Sequence, residues 1–526
     1  MPRAAADRAR GAGEGVAVLA LGALQTPAFV HTTTAWPLAL AATGLLAWRL
    51  GGASPARAAW LGWLYGTGWL CAGVWWLFVS MHRYGGLPAP LAALAVFALS
   101  GALSLYLAAA CAAYARWRDG RPGHDAALFG ALWLLAEVAR GTLFTGFPWL
   151  ASGYALVDAP VAALAPWVGV FGLGALAAGL VAWAVASACC RALAWPRRLA
   201  RILAAAALLL AGALTGPGEH TRPAGRLEVS LLQTLVPQDE KFADERLPLT
   251  LEALALQLRE ARGALVVAPE TAVPLLPSQL EALAPGYWQA LQAHFGSSGR
   301  AALVGVPMGD IDSGYTNSVA SFGAGPPYRY DKQHLVPFGE FVPPGFRWFT
   351  QMMNIPLGDF ARGPLDAPSF AFRGQRVAPN VCYEDLFGDE LAARFVDPAR
   401  APTVMANVSN IGWFGDTVAL PQHLNISRMR ALELQRPMLR ATNTGVTAIV
   451  DHRGAVTHRL PVHTRGVLEG SVEARAGTTP YAAWAGRFGS WPLVLAAALV
   501  VAAAAATRRA AGAAPQGRHG DGGSGT

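Results

Sequence analysis

Long apolar stretches separated by short polar connections fill the first 215 residues, and one more stretch lies near the C-terminus. Their positions are 14–31, 36–50, 58–80, 88–114, 126–144, 160–190, 199–215 and 489–506. Most reach the length of about 20 residues that a helix needs to cross a bilayer. The second and the seventh are shorter. The pattern predicts an α-helical membrane bundle of about eight transmembrane helices.

Between the seventh and eighth stretches, the pattern changes to short apolar or β-branched runs separated by polar segments. Such runs are typical of buried strands. The predicted strands are 226–234, 264–268, 301–307, 377–381 and 402–408. Two longer segments, 245–262 and 422–435, have a helical pattern. Strands that alternate with helices predict an α/β domain with a layered sheet core.

These patterns divide the chain into four parts. We expect a membrane bundle of about seven helices at 1–215 and an α/β domain at 216–486. A last transmembrane helix is expected at 487–507. The remaining residues, 508–526, are rich in Gly and Ala and are expected to form a disordered tail.

The composition agrees with a membrane protein. Only 14% of the residues are charged and 53% are hydrophobic, whereas soluble domains carry about 25% charged residues on average. The formal net charge of +8 is spread over the connections between apolar stretches. The sequence has no basic stripe or aromatic-interleaved platform, so a nucleic-acid partner is not expected.

Arginines are concentrated in alternate connections. They lie before the first stretch, between the second and third, the fourth and fifth, and the sixth and seventh, and after the eighth. The intervening connections, 32–35, 82–87 and 145–159, hold a single arginine, Arg83. Because cytoplasmic connections carry the excess of Lys and Arg, both termini are predicted in the cytoplasm. Residues 216–486 are then predicted on the outer side of the membrane.

Two features inside the apolar stretches are unusual. Glu137 and Arg140 share one helix face, and charges within a span usually face the bundle interior or mark function. They are either a structural pair or a substrate-facing pair. Gly62 and Gly66 form a G-x-x-x-G pattern, which is a weakly specific signal of close helix packing.

Lysine and cysteine are used sparingly. Lys241 and Lys332 are the only two lysines among the 41 basic residues. The other basic residues are all arginine, so a lysine retained in this chain is a candidate for a site that needs a compact ammonium group. Chance retention is the alternative. Cys382 is the only one of the five cysteines in the polar region. It is therefore either a small buried hydrophobe or a free reactive thiol.

Three strand ends carry reactive side chains. Glu270 follows the run 265–269, Lys332 lies in the segment 330–340, and Cys382 follows the run 377–381. Acyl transfer by cysteine needs a thiolate, a base that generates it, and a cation for the developing oxyanion. The three residues can fill these roles. Taken singly, each has a simpler explanation: a surface carboxylate, a solvated lysine and a buried thiol.

Together with longer motifs, the three residues resemble the nitrilase superfamily and, within it, the bacterial apolipoprotein N-acyltransferase family. The motifs that carry the resemblance are PETAVP at 269–274, KQHLVPFGEFVP at 332–343, CYE at 382–384, WFG at 413–415, RMRALELQRP at 428–437, RATN at 440–443 and TPY at 479–481. The resemblance covers nearly the whole chain.

Three motifs depart from the family pattern. Relatives typically read Gln-Gly-Asn-Ile-Pro at the end of the first predicted strand. This chain has Gln233-Thr234-Leu235-Val236-Pro237 there. Phe242 replaces the usual Trp after Lys241. Ile411 replaces the Asp of the Ser-Asn-Asp-x-Trp-Phe-Gly motif. The Glu-Lys-Cys set itself is intact.

The resemblance implies an α-β-β-α sandwich on the periplasmic side of the inner membrane of a bacterium. It implies that Cys382 attacks a phospholipid ester, Glu270 takes the thiol proton and Lys332 stabilises the oxyanion. The acyl chain then passes from the thioester to the N-terminal α-amine of a diacylated lipoprotein. Glu340 resembles the family's second essential glutamate, and Tyr383 and Glu384 resemble supporting residues. No metal or other cofactor is expected.

Aromatic residues near these motifs are candidates for contact with substrate. The stretch 341–353 is apolar and is expected to form a lid or acyl-chain contact at the membrane surface, with ordinary core packing as the alternative. The candidates are Phe242, Phe341, Trp348, Phe349, Trp413 and Trp149.

Three other functions are compatible with these residues. A membrane-tethered amidase would pass the acyl group to water, and it would hydrolyse a model amide without an amine acceptor. A paralogous transferase would use a different lipidated acceptor, which genetic complementation would reveal. A non-catalytic receptor or transporter with a degenerate sensor domain would have no reason to keep Glu270, Lys332 and Cys382 together.

Overall fold

The computed structural model describes residues 2–346 and 359–513, with side chains from residue 13 to residue 510 within those ranges. Helices build the chain up to residue 215, and strands alternate with helices from Thr221 to Gly477. Two helices, Pro480–Phe488 and Trp491–Ala513, follow. The predicted tail at 508–526 therefore begins within a helix, and it lies outside the described residues from residue 514 onward.

The first part is helical throughout, as its apolar stretches predict. Its helices are Pro2–Ala23, Thr26–Val30, Thr32–Leu50, Pro55–Gly73, Leu77–Val79, Ala89–Trp117, Pro122–Thr142, Ala165–Cys189, Trp195–Leu210 and Gly212–Thr215. A π-helical turn, Ser80–Tyr84, and the 3-10 turns Leu143–Thr145, Ser152–Leu156 and Pro160–Leu164 lie between them.

Six helices among the described residues are long and apolar enough to cross a membrane. A seventh is reached if the bent pair Pro55–Gly73 and Leu77–Tyr84 counts as one span. The sequence predicted about eight. The predicted span that is not among these seven is the helix Thr32–Leu50, which corresponds to the predicted stretch 36–50. Threonines in its first turn and Arg49 in its last turn reduce its apolar character.

The G-x-x-x-G pattern packs two helices closely together, as expected. A Cβ atom on Gly62 would lie 2.7 Å from Cys111 Sγ, and one on Gly66 would lie 2.8 Å from Ser104 Oγ. Cys111 and Ser104 belong to the helix Ala89–Trp117. The two glycines therefore allow an approach that larger residues would prevent.

Glu137 and Arg140 are both buried and form an ion pair, with 3.5 Å between Arg140 Nη2 and Glu137 Oε1. Arg140 also donates hydrogen bonds of 2.9 Å to the carbonyls of Phe147 and Trp149. Glu137 accepts a hydrogen bond of 2.7 Å from the backbone N–H of Ser152. The pair therefore has a structural role, because it holds the irregular segment 147–152 against the helix.

The second part contains twelve described strands. They are β1 (Thr221–Gln233), β2 (Leu265–Val267), β3 (Ala301–Asp310), β4 (Gly314–Gly323), β5 (Arg329–Asp331), β6 (Phe370–Phe372), β7 (Gln375–Val381), β8 (Val404–Ser409), β9 (Met438–Thr442), β10 (Ala448–Val450), β11 (Val456–Arg459) and β12 (Gly466–Gly477).

The strands form two six-stranded sheets with the same internal pattern. One sheet has the order β12-β1-β2-β3-β4-β5, and the other has the order β11-β10-β9-β8-β7-β6. Strands β1, β2 and β3 are parallel in the first sheet, and β7, β8 and β9 are parallel in the second. The remaining pairs are antiparallel. Parallel strands end at the same sheet edge, which gathers the side chains that follow them.

The two sheets face each other and carry helices on their outer faces. Apolar residues of both sheets form one buried cluster, which includes Val229 and Leu265 from the first sheet and Val377 and Val404 from the second. The helices Leu247–Glu260, Pro277–Leu283 and Tyr287–Ser297 cover the first sheet. The helices Gly388–Ala392, Ala419–Leu434 and Pro480–Phe488 cover the second. The predicted α-β-β-α sandwich is confirmed.

The sheet part is joined to the helical part by buried polar and aromatic contacts. The side-chain oxygen of Gln422 accepts hydrogen bonds from the indoles of Trp149 (2.8 Å) and Trp76 (3.2 Å). Phe414 packs on Trp76 with 4.1 Å between ring centroids. The Tyr154 hydroxyl donates to the carbonyl of Leu386. Because buried indole and amide groups need hydrogen-bond partners and find them across this junction, the two parts are matched in detail.

Candidate active site

Cys382 lies directly after β7 in an unusual backbone conformation. Its φ is 52°, in the left-handed region that residues other than glycine rarely adopt. Such a residue stores strain of about 1–3 kcal/mol, which the surrounding contacts must hold. Its carbonyl lies 3.2 Å from Asn407 Nδ2 and 3.2 Å from His423 Nε2. Cys382 is partly exposed, while its neighbours Val381 and Tyr383 are buried.

Glu384 connects the cysteine segment to the lysine segment. Its carboxylate accepts hydrogen bonds from the backbone N–H groups of Val381 (2.6 Å) and Gln333 (2.7 Å). The hydroxyl of Tyr330, on β5, donates to it at 2.8 Å. Burial raises the pKa of Glu384, and Lys332 and the backbone donors oppose that shift. Glu384 therefore fixes the ends of β5 and β7 side by side.

Lys332 lies between two carboxylates in the interior of the site. It is fully buried, and its ammonium nitrogen is 2.9 Å from Glu340 and 3.6 Å from Glu270. Asn317 Nδ2 donates hydrogen bonds to Glu270 (2.8 Å) and to Glu340 (2.7 Å). The backbone N–H of Asn410 donates to Glu270 Oε2 at 2.8 Å. The arrangement holds both carboxylates and the ammonium group at fixed positions.

The charges of these groups act on one another. Burial disfavours the charged form of Lys332, but Glu340 and Glu270 outweigh it and raise the pKa of the ammonium group. Desolvation and the charge of Glu270 raise the pKa of the Cys382 thiol, and Lys332 opposes them. At neutral pH the ammonium is thus charged and the thiol is protonated. A thiol in this state needs a base when it attacks.

The second lysine also reaches the site. Lys241 is buried, and its ammonium donates a hydrogen bond of 3.2 Å to the backbone carbonyl of Glu270. Burial lowers the pKa of Lys241 to about 8, while the charges of Glu270 and Cys382 oppose the shift. Both lysines of the chain therefore lie beside Glu270. This agrees with the expectation that a retained lysine marks a site for an ammonium group.

Tyr383 and Glu340, the remaining predicted supporting residues, contact other parts of the site. The Tyr383 hydroxyl donates a hydrogen bond of 3.0 Å to the carbonyl of Gly146 in the helical part. Glu340 accepts from the backbone N–H of Val336 at 2.8 Å, in addition to its contact with Lys332. The residue after the proposed nucleophile is therefore tied to the membrane bundle.

The substrate-contact candidates lie in different environments. Phe242 is 50% exposed beside Lys241. Phe341 is partly buried with the Arg362 guanidinium over its ring, and Trp413 packs edge-on against Tyr84. Their contacts with substrate stay predictions. Trp348 and Phe349 lie outside the described residues, as does most of the predicted lid.

Trp149 differs from the other candidates. It is buried, its indole donates to Gln422, and its ring stacks on His423 with 5.6 Å between centroids. In this structure it lies beneath the nucleophile and not at an open surface.

Several residues of the site were not found by sequence reasoning. Asn317 lies on β4, a strand that the sequence did not predict, and it carries no reactive group. Asn410 acts through its backbone N–H. His423, Asp385 and Arg440 belong to a buried network under Cys382 and were not singled out. Arg440 begins the matched RATN motif, which was the available signal for it.

Two stacked sheets that bring together a glutamate, a lysine and a cysteine beside membrane-spanning helices define a membrane-anchored member of the nitrilase superfamily. Comparison with known families agrees with this class. Residues 21–184 match a family model described as the apolipoprotein N-acyltransferase N-terminal domain. Residues 236–481 match a family model described as carbon-nitrogen hydrolase.

Curated relatives identify the family. A protein named apolipoprotein N-acyltransferase from Verminephrobacter eiseniae (strain EF01-2) is 53% identical over 483 residues, which cover 86% of this chain and 88% of the relative. A protein of the same name from Ralstonia nicotianae (strain ATCC BAA-1114 / GMI1000) is 46% identical and covers 88% of each chain. The chain therefore belongs to the apolipoprotein N-acyltransferase family, and the resemblance drawn from its motifs is confirmed. Its class is that of a membrane acyltransferase.

Proposed function

We propose that the chain moves a fatty acyl group from a membrane phospholipid to the α-amine of the N-terminal diacylglyceryl-cysteine of a lipoprotein. Cys382 is the nucleophile, Glu270 the general base and Lys332 the oxyanion-stabilising cation. The observation that carries this proposal is the buried contact of Lys332 with Glu270 and Glu340 beside a cysteine in a strained conformation. This arrangement supplies the three requirements of acyl transfer through a thioester.

In the first half-reaction, Cys382 Sγ attacks the ester carbonyl of the phospholipid while Glu270 takes the thiol proton. The tetrahedral oxyanion forms near the Lys332 ammonium, which stabilises it. The carbon–oxygen bond then breaks, and the lysophospholipid alkoxide takes the proton back from Glu270. The products are a thioester on Cys382 and a lysophospholipid.

In the second half-reaction, the α-amine of the lipoprotein attacks the thioester. Glu270 accepts a proton from the amine, and the carbon–sulfur bond breaks. The Cys382 thiolate takes this proton from Glu270, and an amide is released. An amide is more stable than a thioester, so the transfer is favourable without another energy source.

Membrane helices are useful for this reaction because both substrates carry acyl chains. Removing such a chain from lipid costs about 0.8 kcal/mol per CH₂ group. The hydrogen bond from Tyr383 to Gly146 keeps the nucleophile segment next to the helical part. This contact supports a site that meets lipid substrates at the membrane surface.

The first half-reaction can be tested by mass spectrometry of the purified chain mixed with phospholipid. Intact protein should gain the mass of one acyl chain, and peptide analysis should locate it on Cys382. Cys382→Ser should gain none, whereas the matched variant Cys190→Ser, outside the site, should behave like the parent. Adding a diacylated lipopeptide should remove the acyl chain as an amide. If the parent releases free fatty acid instead, the acyl group passes to water and hydrolysis replaces this proposal; hydrolysis of a model amide without an amine acceptor would then identify the amidase.

The domain arrangement and location are proposals as well. We infer that 1–215 and 487–507 are in the bacterial inner membrane and that 216–486 lies on the periplasmic side. Both termini, with the tail 508–526, are cytoplasmic. Asp312→Cys, on an exposed turn, should react with a membrane-impermeant maleimide in whole cells. Arg509→Cys should react only after permeabilisation. The reverse result would place the catalytic part in the cytoplasm and end the proposal.

A further inference from the structure

A buried polar network lies directly under Cys382, apart from the Glu-Lys-Cys cluster. His423, Asp385, Ser427 and Arg440 are all fully buried. Arg440 Nη1 is 3.2 Å from Asp385, and Ser427 donates a hydrogen bond to the same carboxylate. His423 lies between this ion pair and the nucleophile.

Arg440 determines which nitrogen of His423 carries the proton. Arg440 Nη2 lies 3.1 Å from His423 Nδ1. A guanidinium group has donors only, so Nδ1 must accept this hydrogen bond. Nε2 is therefore the ring nitrogen that donates, toward the Cys382 carbonyl and Asp385.

The protonated nitrogen faces the nucleophile. His423 Nε2 is 3.2 Å from the Cys382 carbonyl and 3.1 Å from Asp385 Oδ1. Asn407 Nδ2, itself only 2.6 Å from Asn380 Oδ1, is the other side-chain donor to the same carbonyl among the described residues. The carbonyl belongs to a residue with φ of 52°, so these donors act on the strained position.

The other side of the imidazole is covered by the membrane bundle. Trp149 stacks on the ring of His423 with an interplanar angle of 26°. The backbone carbonyl of Trp149 accepts a hydrogen bond from Arg140, which is paired with Glu137 inside a membrane-spanning helix. A continuous set of contacts therefore runs from this helix to the backbone of Cys382.

We propose that His423 is a positioning residue that holds Cys382 in its left-handed conformation, so that the thiol meets the ester in the geometry set by Glu270 and Lys332. This inference rests on the proposed function, because it concerns the acylation step of that reaction. Among the described residues, no hydrogen bond or ion pair joins His423 to Glu270, Lys332 or Glu340, and its link to the nucleophile is the Cys382 carbonyl.

Two amide variants separate this role from a general structural one. The Nε2 atom of glutamine can occupy the place of His423 Nε2, whereas the shorter asparagine reaches only the place of Nδ1. Asparagine keeps an acceptor toward Arg440 in the place of Nδ1, and glutamine keeps the donor toward the Cys382 carbonyl. Asn425→Ala is the matched control, because Asn425 is buried on the same helix and donates to the carbonyl of Phe29.

The experiment measures single-turnover acylation of Cys382 by phospholipid in the full chain, with intact-protein mass spectrometry. The rate constant and the final amplitude are obtained separately. His423→Asn should reduce the rate constant about tenfold, the effect of one lost hydrogen bond in the transition state. His423→Gln and Asn425→Ala should stay close to the parent, and all variants should reach the parent's amplitude.

A structural role alone would reduce the amplitude through misfolded protein and leave the rate constant unchanged. Equal rate constants for His423→Asn and His423→Gln, at any amplitude, overturn the inference. The two failures are distinguishable: if the parent chain itself gains no acyl group, the proposed function is wrong. If the parent is acylated but the two variants do not differ, only the role of His423 is wrong.

Discussion

The side-chain amide of Asn317 donates a hydrogen bond of 2.8 Å to Glu270, and the same nitrogen lies 2.7 Å from Glu340. One neutral amide thus bridges two carboxylates that also share the Lys332 ammonium. Because the amide supplies donors without a charge, the two carboxylates are balanced by lysines, and Lys332 is the one in direct contact with both. Asn317 is buried on β4, so it holds this geometry from the sheet and not from a loop.

Asn317→Asp should therefore abolish acylation, because a third carboxylate would replace a donor beside two others. Like charges at this distance raise one another's pKa, so one of the three clustered carboxylates would hold a proton, and Glu270 would lose the donor that positions it. Asn317→Ala should be less harmful, since it removes the bridge without adding charge. Single-turnover acylation measures both. An Asn317→Asp chain that acylates as fast as Asn317→Ala would contradict the argument.

Thiol reactivity and acyl transfer should respond in opposite directions to removal of Glu270. Desolvation and the charge of Glu270 raise the pKa of the Cys382 thiol. Glu270→Gln removes the negative charge, so the midpoint of iodoacetamide alkylation should shift to lower pH. Acyl transfer should still fall by about 10²–10⁴-fold, the usual contribution of a general base.

Removal of the cation gives the opposite shift. Lys332→Met should raise the pH midpoint of alkylation, because Lys332 lowers the pKa of the thiol. Peptide mass spectrometry follows Cys382 separately from the other four cysteines. Midpoints that shift the same way in Glu270→Gln and Lys332→Met would show that these charges do not act on Cys382 as described.

Replacing Glu384 by its neutral analogue glutamine should destabilise the fold, because both carboxylate oxygens are used as hydrogen-bond acceptors. Each of its two oxygens accepts from a backbone N–H, on Val381 and on Gln333. In Glu384→Gln, the new NH₂ group faces one of these donors in either orientation. A buried donor left without a partner costs about 1–3 kcal/mol.

Thermal unfolding of the full chain in detergent micelles should show this loss as a lower transition temperature. Glu390→Gln is the control, because Glu390 is partly exposed and its carboxylate contacts His334, away from the ends of β5 and β7. Equal transition temperatures for the two variants would mean that Glu384 does not tie the strand ends together.

The central strands were predictable because they are apolar on both faces. Leu265–Val267 and Val404–Ser409 are buried throughout and stand out as short apolar runs. β4 could not be found in this way. Thr316, Asn317 and Ser318 are buried, but Thr316 and Ser318 hydrogen-bond to each other and the amide nitrogen of Asn317 donates to Glu270, and the sequence does not reveal such pairing. Strands of three residues, such as Arg329–Asp331, are too short to show a period.

The residues of the site likewise fall into those that the sequence could predict and those that it could not. Glu270 and Cys382 could be predicted because each is a reactive residue type after a predicted strand, and Lys332 because it is one of only two lysines. His423 and Asn410 could not, because each acts as a donor to another residue. Their partners lie 41 residues away for His423 and 140 for Asn410, and only the folded sheets bring them together.

One of the departures from the family pattern has a structural consequence. Leu235 has a φ of 48°, and it stands where relatives typically carry Asn. Asn tolerates the left-handed region, whereas Leu is disfavoured there by about 1–2 kcal/mol. Leu235→Asn should therefore raise the unfolding temperature, while Leu235→Ala, which keeps the strain, should not. A lower unfolding temperature in both variants would show that packing of the Leu235 side chain stabilises the fold by more than its left-handed backbone conformation destabilises it.

Helix packing in the bundle should limit the size of residue 66. A Cβ atom on Gly66 would lie 2.8 Å from Ser104 Oγ and 2.9 Å from Ser104 Cβ, both on the helix Ala89–Trp117. Gly66→Leu must push the two helices apart, and overpacking of this kind costs about 1–3 kcal/mol. The unfolding temperature in micelles should fall, and the acylation amplitude should fall with it. Gly123→Ala is the control, because nothing lies within 4 Å of a Cβ atom there. If Gly66→Leu unfolds at the same temperature as Gly123→Ala, the close approach at Gly66 does not stabilise the bundle.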